Sequence, residues 1–257
     1  MRSIWNGSIS FGLVFIPIKL YSGSEEDRID LNMLDRRDNA RIRYQRVNED
    51  TGKEVEWKDI VKGYKKGDRY VILEDEDFEK ANLKKSKTID IQEFIEGDEV
   101  ADVLFKKPYF LEPQKNAEKS YELLRQALKE TNKFGVATFV MRQKEHLCLI
   151  GLYKNVMVLY LIRFAHEIRN PADLNIPKAQ VSEKELGMAT SLIKEYTTKF
   201  DFEKYKDVYN EQLMDIINKK SAGKKIESED YTDEPTEAGE LLNKLRASLE
   251  NRKKKAS

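Results

Sequence analysis

A single cysteine, Cys148, stands among 257 residues. That excludes an intrachain disulfide and leaves no thiolate set for a metal; a reducing compartment fits the scarcity. Histidine is almost as rare, with only His146 and His166. His146 lies two residues from Cys148 with no third group to orient it, so the pair does not form a nucleophilic centre. Both residues are expected to be structural. His166-Glu167 lacks a second histidine, because position 170 is Asn, so it is no zinc-hydrolase motif. The glycines form neither a dinucleotide fingerprint nor a P-loop: Gly7 and Gly12 have the P-loop gap, but Leu13 follows. No apolar run approaches the ~20 residues of a membrane span. The run from Ile9 to Ile18 is interrupted by Gly12 and Pro17 and ends without a small-residue cleavage site, so it reads as a buried strand rather than a leader. The expectation is an intracellular, soluble, non-catalytic protein without metal, cofactor or membrane contact. Net charge is also lacking, with 46 basic residues balanced by 46 acidic ones.

What the chain does have is charge segregation. Arg36 to Arg69 holds eleven basic and seven acidic residues, a surplus of four positive charges. Glu74 to Asp102 holds eleven acidic and four basic residues, a surplus of seven negative charges. Arg252, Lys253, Lys254 and Lys255 form a basic tail. A neutral molecule can therefore present one positive surface. The densest part is Arg41-Ile42-Arg43-Tyr44-Gln45-Arg46. Positive charge gathered without catalytic groups points to a polyanion, first of all a nucleic-acid backbone. Tyr44, Trp57, Tyr64 and Tyr70 interleave with these bases. They either pack within hairpins or stack on unpaired bases. The acids at Glu74-Asp75-Glu76-Asp77 most simply face solvent at a helix start.

Periodicity reads as mixed α+β, mainly β. Ile9, Phe11, Leu13 and Phe15 alternate with Ser10, Gly12, Val14 and Ile16, which predicts a strand ending at Pro17. Ala40, Ile42 and Tyr44 share one face of a further strand, with Arg41, Arg43 and Gln45 on the other. Turn clusters at Asn48–Gly52 and Gly67-Asp68 complete a set of long hairpins. Strands follow at Thr88–Phe94 and Val103–Leu111. A helix capped by Asn116 carries Ala117, Tyr121, Leu124 and Leu128 and ends at Phe134-Gly135. Val136–Arg142, Leu147–Tyr153 and Val156–Ile162 suit the closing strands of a barrel. Ser182-Glu183-Lys184-Glu185 is a capping box. It opens a helix through Leu186, Ala189, Ile193, Tyr196 and Phe200. Tyr209, Leu213, Ile216 and Ile217 mark another. Ser221–Thr236 reads as an acidic linker. A short leucine-faced helix then carries Leu241, Leu242, Leu245 and Leu249; it either docks within the chain or fills a groove on a partner.

Several blocks, in order, resemble the bacterial Ku family, the DNA-end-binding proteins of non-homologous end joining. They are Ser3–Val14 with Ile16–Tyr21, Arg41–Tyr44, Thr51–Val55, Asp59–Tyr64, Lys107–Pro113, Lys119–Leu124 and Arg163–Arg169. The likeness covers about residues 1–220; Asn32 stands where relatives commonly carry His. The resemblance implies a Ku-like β-barrel core over 1–177, with an inserted arm at about 31–70. Two identical subunits would cross their arms into a dimeric ring through which a double-stranded DNA end threads. A C-terminal helical region at 178–220 and a terminal segment at 221–257 would follow. It further implies recruitment of the multidomain ATP-dependent DNA ligase, with Leu241, Leu242, Leu245 and Leu249 as the expected contact. The cellular place would be the cytoplasm, on the nucleoid. Phosphate contacts are expected from Arg36, Arg37, Arg41, Arg43, Arg46, Lys53, Lys58, Lys62, Lys65 and Lys66. Two other readings stand beside this one: an added lyase activity, in which a channel lysine forms a Schiff base at an abasic site, and a single-strand binder using Trp57 and Tyr44.

Overall fold

The computed structural model describes residues 1–25, 27–81, 87–224 and 240–256, with the side chains of Leu242, Leu249 and 251–256 outside that description. The chain divides into two compact units, Met1–Pro171 and Ala172–Ser257.

The first unit begins with a hairpin where the alternation predicts one strand. β1 (Trp5–Phe11) and β2 (Val14–Ser22) pair antiparallel with Phe11 opposite Val14. Gly12, at φ +59°, and Leu13 form the turn. Leu13 is 98% exposed, while Ile9, Ile16, Ile18 and Leu20 are fully buried. The buried positions thus switch from odd to even across the turn, which a single strand cannot do. Pro17 lies inside β2, opposite Ser8. Its carbonyl accepts the Gln114 N–H at 2.9 Å, and pairing of β2 with the strand that ends at Pro113 starts only at Ile18. The proline's missing N–H therefore falls where no ladder bond is required.

Seven strands close a barrel in the order β1-β2-β6-β9-β8-β7-β5. β5 is Thr88–Glu96, β6 Phe105–Pro113, β7 Lys133–Met141, β8 Lys144–Tyr153 and β9 Val156–Ile162. Neighbours are antiparallel except β1 and β5, which join in parallel through Ser8–Thr88, Ile9–Ile89 and Ser10–Asp90. The Ser10 hydroxyl donates to Asp90 Oδ1 at 2.7 Å across that seam. β6 starts at Phe105 rather than Val103, because Asp102–Leu104 is wound into a 3-10 turn. The three expected closing strands are present, and their buried residues, among them Ala137, Phe139, Ile150 and Leu159, fill the barrel.

Helix α2 (Glu118–Thr131) packs against the barrel wall with Tyr121, Leu124 and Leu128 buried. Ala117, not Asn116, holds its N-terminal flank. Asn116 takes a left-handed conformation (φ 72°), and Asn132 (φ 52°) ends the helix two residues before Phe134. Asparagine tolerates that region, so a residue read as a cap serves here as a bend. The Tyr121 hydroxyl donates to the Leu111 carbonyl at 2.8 Å and accepts the Met157 N–H at 3.1 Å. One side chain thereby ties α2 to β6 and β9. Tyr121→Phe leaves both backbone groups unpaired in the core and is expected to cost about 1–3 kcal/mol in denaturant unfolding. An unchanged midpoint would show that the clasp carries no stability.

In the second unit, α3 (Glu183–Tyr196) opens on the expected capping box. Ser182 Oγ accepts the Glu185 N–H at 3.3 Å, and the Glu185 carboxylate accepts the Ser182 N–H at 2.8 Å. The helix stops at Tyr196, so Phe200 lies beyond it. α4 (Val208–Ser221) is capped by Asp207, whose carboxylate accepts the Asn210 N–H at 3.0 Å. α5 (Leu241–Ala256) continues through the basic tail and runs alongside α3. Leu241 is exposed and Leu245 half-buried. Most of the expected linker, 225–236, lies outside the described residues, as do the side chains of Leu242, Leu249 and Arg252 to Lys255.

Candidate nucleic-acid interface

Between β2 and β5 the chain leaves the barrel as an arm. From Leu31 to Ile72 no side chain is buried, and only Asp35 and Val55 are half-buried. Local hydrogen bonds hold the arm in place of a core. A tight turn is closed by the Leu34–Arg41 bridge, with Asn39 at φ 59°. A second is closed by Val47–Glu54. Within it Asn48 Oδ1 accepts the N–H groups of Asp50 and Thr51, both at 3.0 Å. The expected strand at Ala40–Gln45 does not form: the pattern has two faces, but no neighbouring strand pairs with it along its length. Trp57–Asp59 is a 3-10 turn. Among the arm's described residues, the regular hairpin is β3 (Lys62–Lys66) with β4 (Arg69–Leu73). Gly67 (φ +65°) and Asp68 make its turn. Helix α1 (Asp75–Ala81) follows, with Asp75, Glu76 and Asp77 in its first turn as expected.

All ten expected phosphate contacts lie on this exposed arm. They divide into two groups. Arg37 is held by Asp35 at 2.5 Å, an ion pair that keeps the Asp35 carboxyl below its usual range. Arg41 donates to Asn32. The Arg46 guanidinium lies 4.7 Å above the Trp57 ring. Lys58 pairs with Glu56 at 2.8 Å. Lys62 donates to Gln143 Oε1 at 2.8 Å and sits 4.4 Å from the centre of the Phe78 ring. In contrast, Arg36, Arg43, Lys53, Lys65 and Lys66 have no ion-pair partner among the described residues. Arg69 does not figure among the ten, yet it stands directly opposite Lys66 across the hairpin turn. Its signal is positional: only the register beside Gly67-Asp68 shows that two cations share the tip.

The hairpin exposes apolar groups on both faces. Tyr64 and Val71 pair on one, Ile72 and Tyr70 on the other. A solitary two-stranded hairpin is marginal in water. An ordered surface this rich in uncovered aromatic and β-branched groups marks an interaction site.

Of the rare chemical groups, Cys148 and His146 lie on a barrel strand, and His166 is exposed in a 3-10 turn after β9. Cys148 is buried; its thiol donates to the Ala137 carbonyl at 3.4 Å, and burial pushes its pKa up. His146 lies 5.7 Å from the Phe139 ring, and burial lowers its pKa. His166 stacks on Phe164. Glu167 accepts from Lys106 at 2.8 Å and from the Phe164 N–H at 2.9 Å, with Lys144 at 3.6 Å. The Lys106 hydrogen bond leads in holding its carboxyl down at about 2, so this clasp between β6 and the segment after β9 stays charged through the neutral range. Among the described residues, no three metal-ligating side chains converge. No helix there is long and apolar enough to cross a membrane.

A closed barrel that projects a coreless, basic and apolar arm defines a class of protein built to complete itself on other molecules. The family described as the Ku70/Ku80 beta-barrel domain matches residues 10–188. The Non-homologous end joining protein Ku of Coxiella burnetii is 38% identical over 262 residues, covering 98% of this chain and 96% of that protein. That of Archaeoglobus fulgidus is 39% identical over 255 residues, with coverage of 97% and 99%. That of Bacillus subtilis is 37% identical over 256 residues, covering 97% of this chain and 82% of the relative. The chain belongs to the Ku family.

Proposed function

We propose that two copies of this protein join through their arms into a ring that threads onto double-stranded DNA ends and holds them for non-homologous end joining. The observation that carries the reading is the arm itself, which has unpaired cations and uncovered apolar groups but no core. A second copy covers the apolar groups, and the cations face the phosphates. Family membership and the process for which the relatives are named support the same assignment. Arg36, Arg43, Lys53, Lys65, Lys66 and Arg69 supply most of the phosphate attraction, because no protein carboxylate already neutralises them. Arg41 and Arg46 add charge from fixed positions, while the charges of Arg37 and Lys58 are offset by Asp35 and Glu56. Phosphate contact needs no base reading, so binding is indifferent to sequence and falls steeply with salt.

The holding is non-catalytic, and joining is left to the multidomain ATP-dependent DNA ligase. Its contact is proposed on the Leu241–Leu249 stretch of α5, presented beside α3. The work takes place on the nucleoid in the cytoplasm. Competition tests the ring: a linear duplex should displace a labelled linear duplex, while the same duplex as a closed circle should compete poorly. Equal competition would mean that the arm is an open patch.

A further inference from the structure

The base of the β3–β4 hairpin is tied to the barrel by a side-chain hydrogen bond. Lys62 is the first residue of β3, paired with Leu73 at the hairpin's open end. Its ammonium donates to Gln143 Oε1 at 2.8 Å. Gln143 sits in the two-residue turn joining β7 to β8, where Met141 pairs with Lys144. Arg142 and Gln143 both have positive φ, 53° and 62°. Such a turn is a stiff connection whose twist matches its strands. The same ammonium lies 4.4 Å from the centre of Phe78, a half-buried residue on α1. Hairpin, helix and barrel turn therefore converge on one charge, and neither β3 nor β4 runs alongside a barrel strand.

We infer that Lys62 is a positioning residue rather than a phosphate contact: its bond to Gln143 and its place over Phe78 set the angle at which the hairpin leaves the barrel. This rests on the arm-built ring proposed above, whose aperture depends on that angle. A hydrogen bond from an ammonium and a cation–π contact each favour one geometry of a long, otherwise flexible side chain. A lysine so engaged holds its ammonium at the hairpin's base, and leaving that place to follow a phosphate would give up its anchor. Lys65 and Lys66, farther along the same strand, have no such ties.

Counterion release separates the two roles. Removing one phosphate-neutralising charge makes the dependence of log K on log salt shallower by about 0.9, whereas a hairpin set at the wrong angle weakens binding without changing that slope. Lys62→Met and Gln143→Ala should each weaken binding to a linear duplex by about tenfold at unchanged slope. The double variant should be no weaker than either single one, because both remove the same link. Amide hydrogen exchange over 62–73 should quicken in both, with or without DNA. The inference is overturned if Lys62→Met makes the slope shallower while Gln143→Ala has no effect on binding or exchange. Lys65→Gln/Lys66→Gln serves as the reference for phosphate contact. If it changes neither affinity nor slope, the DNA assignment of the arm fails, and faster exchange in the Lys62 and Gln143 variants still reports on the anchor alone.

Discussion

Replacing Lys53, Lys65 and Lys66 together by glutamine should lower affinity for a linear duplex roughly a hundredfold at physiological salt, and flatten its salt dependence by about 0.9 for each phosphate left without its cation. All three side chains are exposed, and none has an ion-pair partner among the described residues. Their removal therefore leaves no orphaned carboxylate and no gap in the core, and the melting temperature should stay within a degree or two of the parent. The contrast with Glu56→Gln/Lys58→Gln is informative. Lys58 already faces Glu56 at 2.8 Å, so their joint loss removes a pair of nearly zero net charge and should alter DNA affinity much less. If the triple variant binds as tightly as the parent across a salt titration, phosphates do not meet this arm.

The second large effect concerns association. Val71 and Ile72 are exposed on opposite faces of β4, so whichever face a second copy covers, one of them is buried there. Changing both to serine removes about 1.5–3 kcal/mol of burial for each that the interface covers. The dimer dissociation constant, read by sedimentation equilibrium, should rise about tenfold to a hundredfold or more. The barrel should melt unchanged, since neither side chain touches its core. DNA-end binding should fall in parallel with dimerisation and recover at high protein concentration. A variant that stays dimeric at nanomolar concentration would place the subunit contact away from this hairpin.

The barrel is legible in the sequence wherever a strand alternates against a filled interior. β7 shows this most simply, with Gly135, Ala137, Phe139 and Met141 buried in step. The β1–β2 turn escapes the simple alternation although it is written in the chain: Ile9 is odd and Ile16, Ile18 and Leu20 are even, and only a two-residue turn reconciles them. Gly12 and Leu13 supply that turn. At Asn116 and Asn132 the chemistry of asparagine admits both a cap and a left-handed bend, and tertiary packing decides. The arm divides in the same way. Its basic residues and its turns at Asn48–Gly52 and Gly67-Asp68 follow from residue type. Its lack of a core does not, because apolar residues such as Ile42, Tyr44 and Trp57 look alike in sequence whether they pack inward or wait for a partner. Nor does the sequence separate Lys62 from Lys65 and Lys66; that requires Gln143, which lies far along the chain on another turn.

Order of addition tests threading most directly. A linear duplex is incubated with the protein, both ends are then sealed with bulky blocks, and the salt is raised; in a parallel sample the blocks are placed first. A ring predicts salt-resistant, trapped protein only in the first sample and none loaded in the second. Equal retention in both would contradict encirclement and leave the arm as an open basic surface.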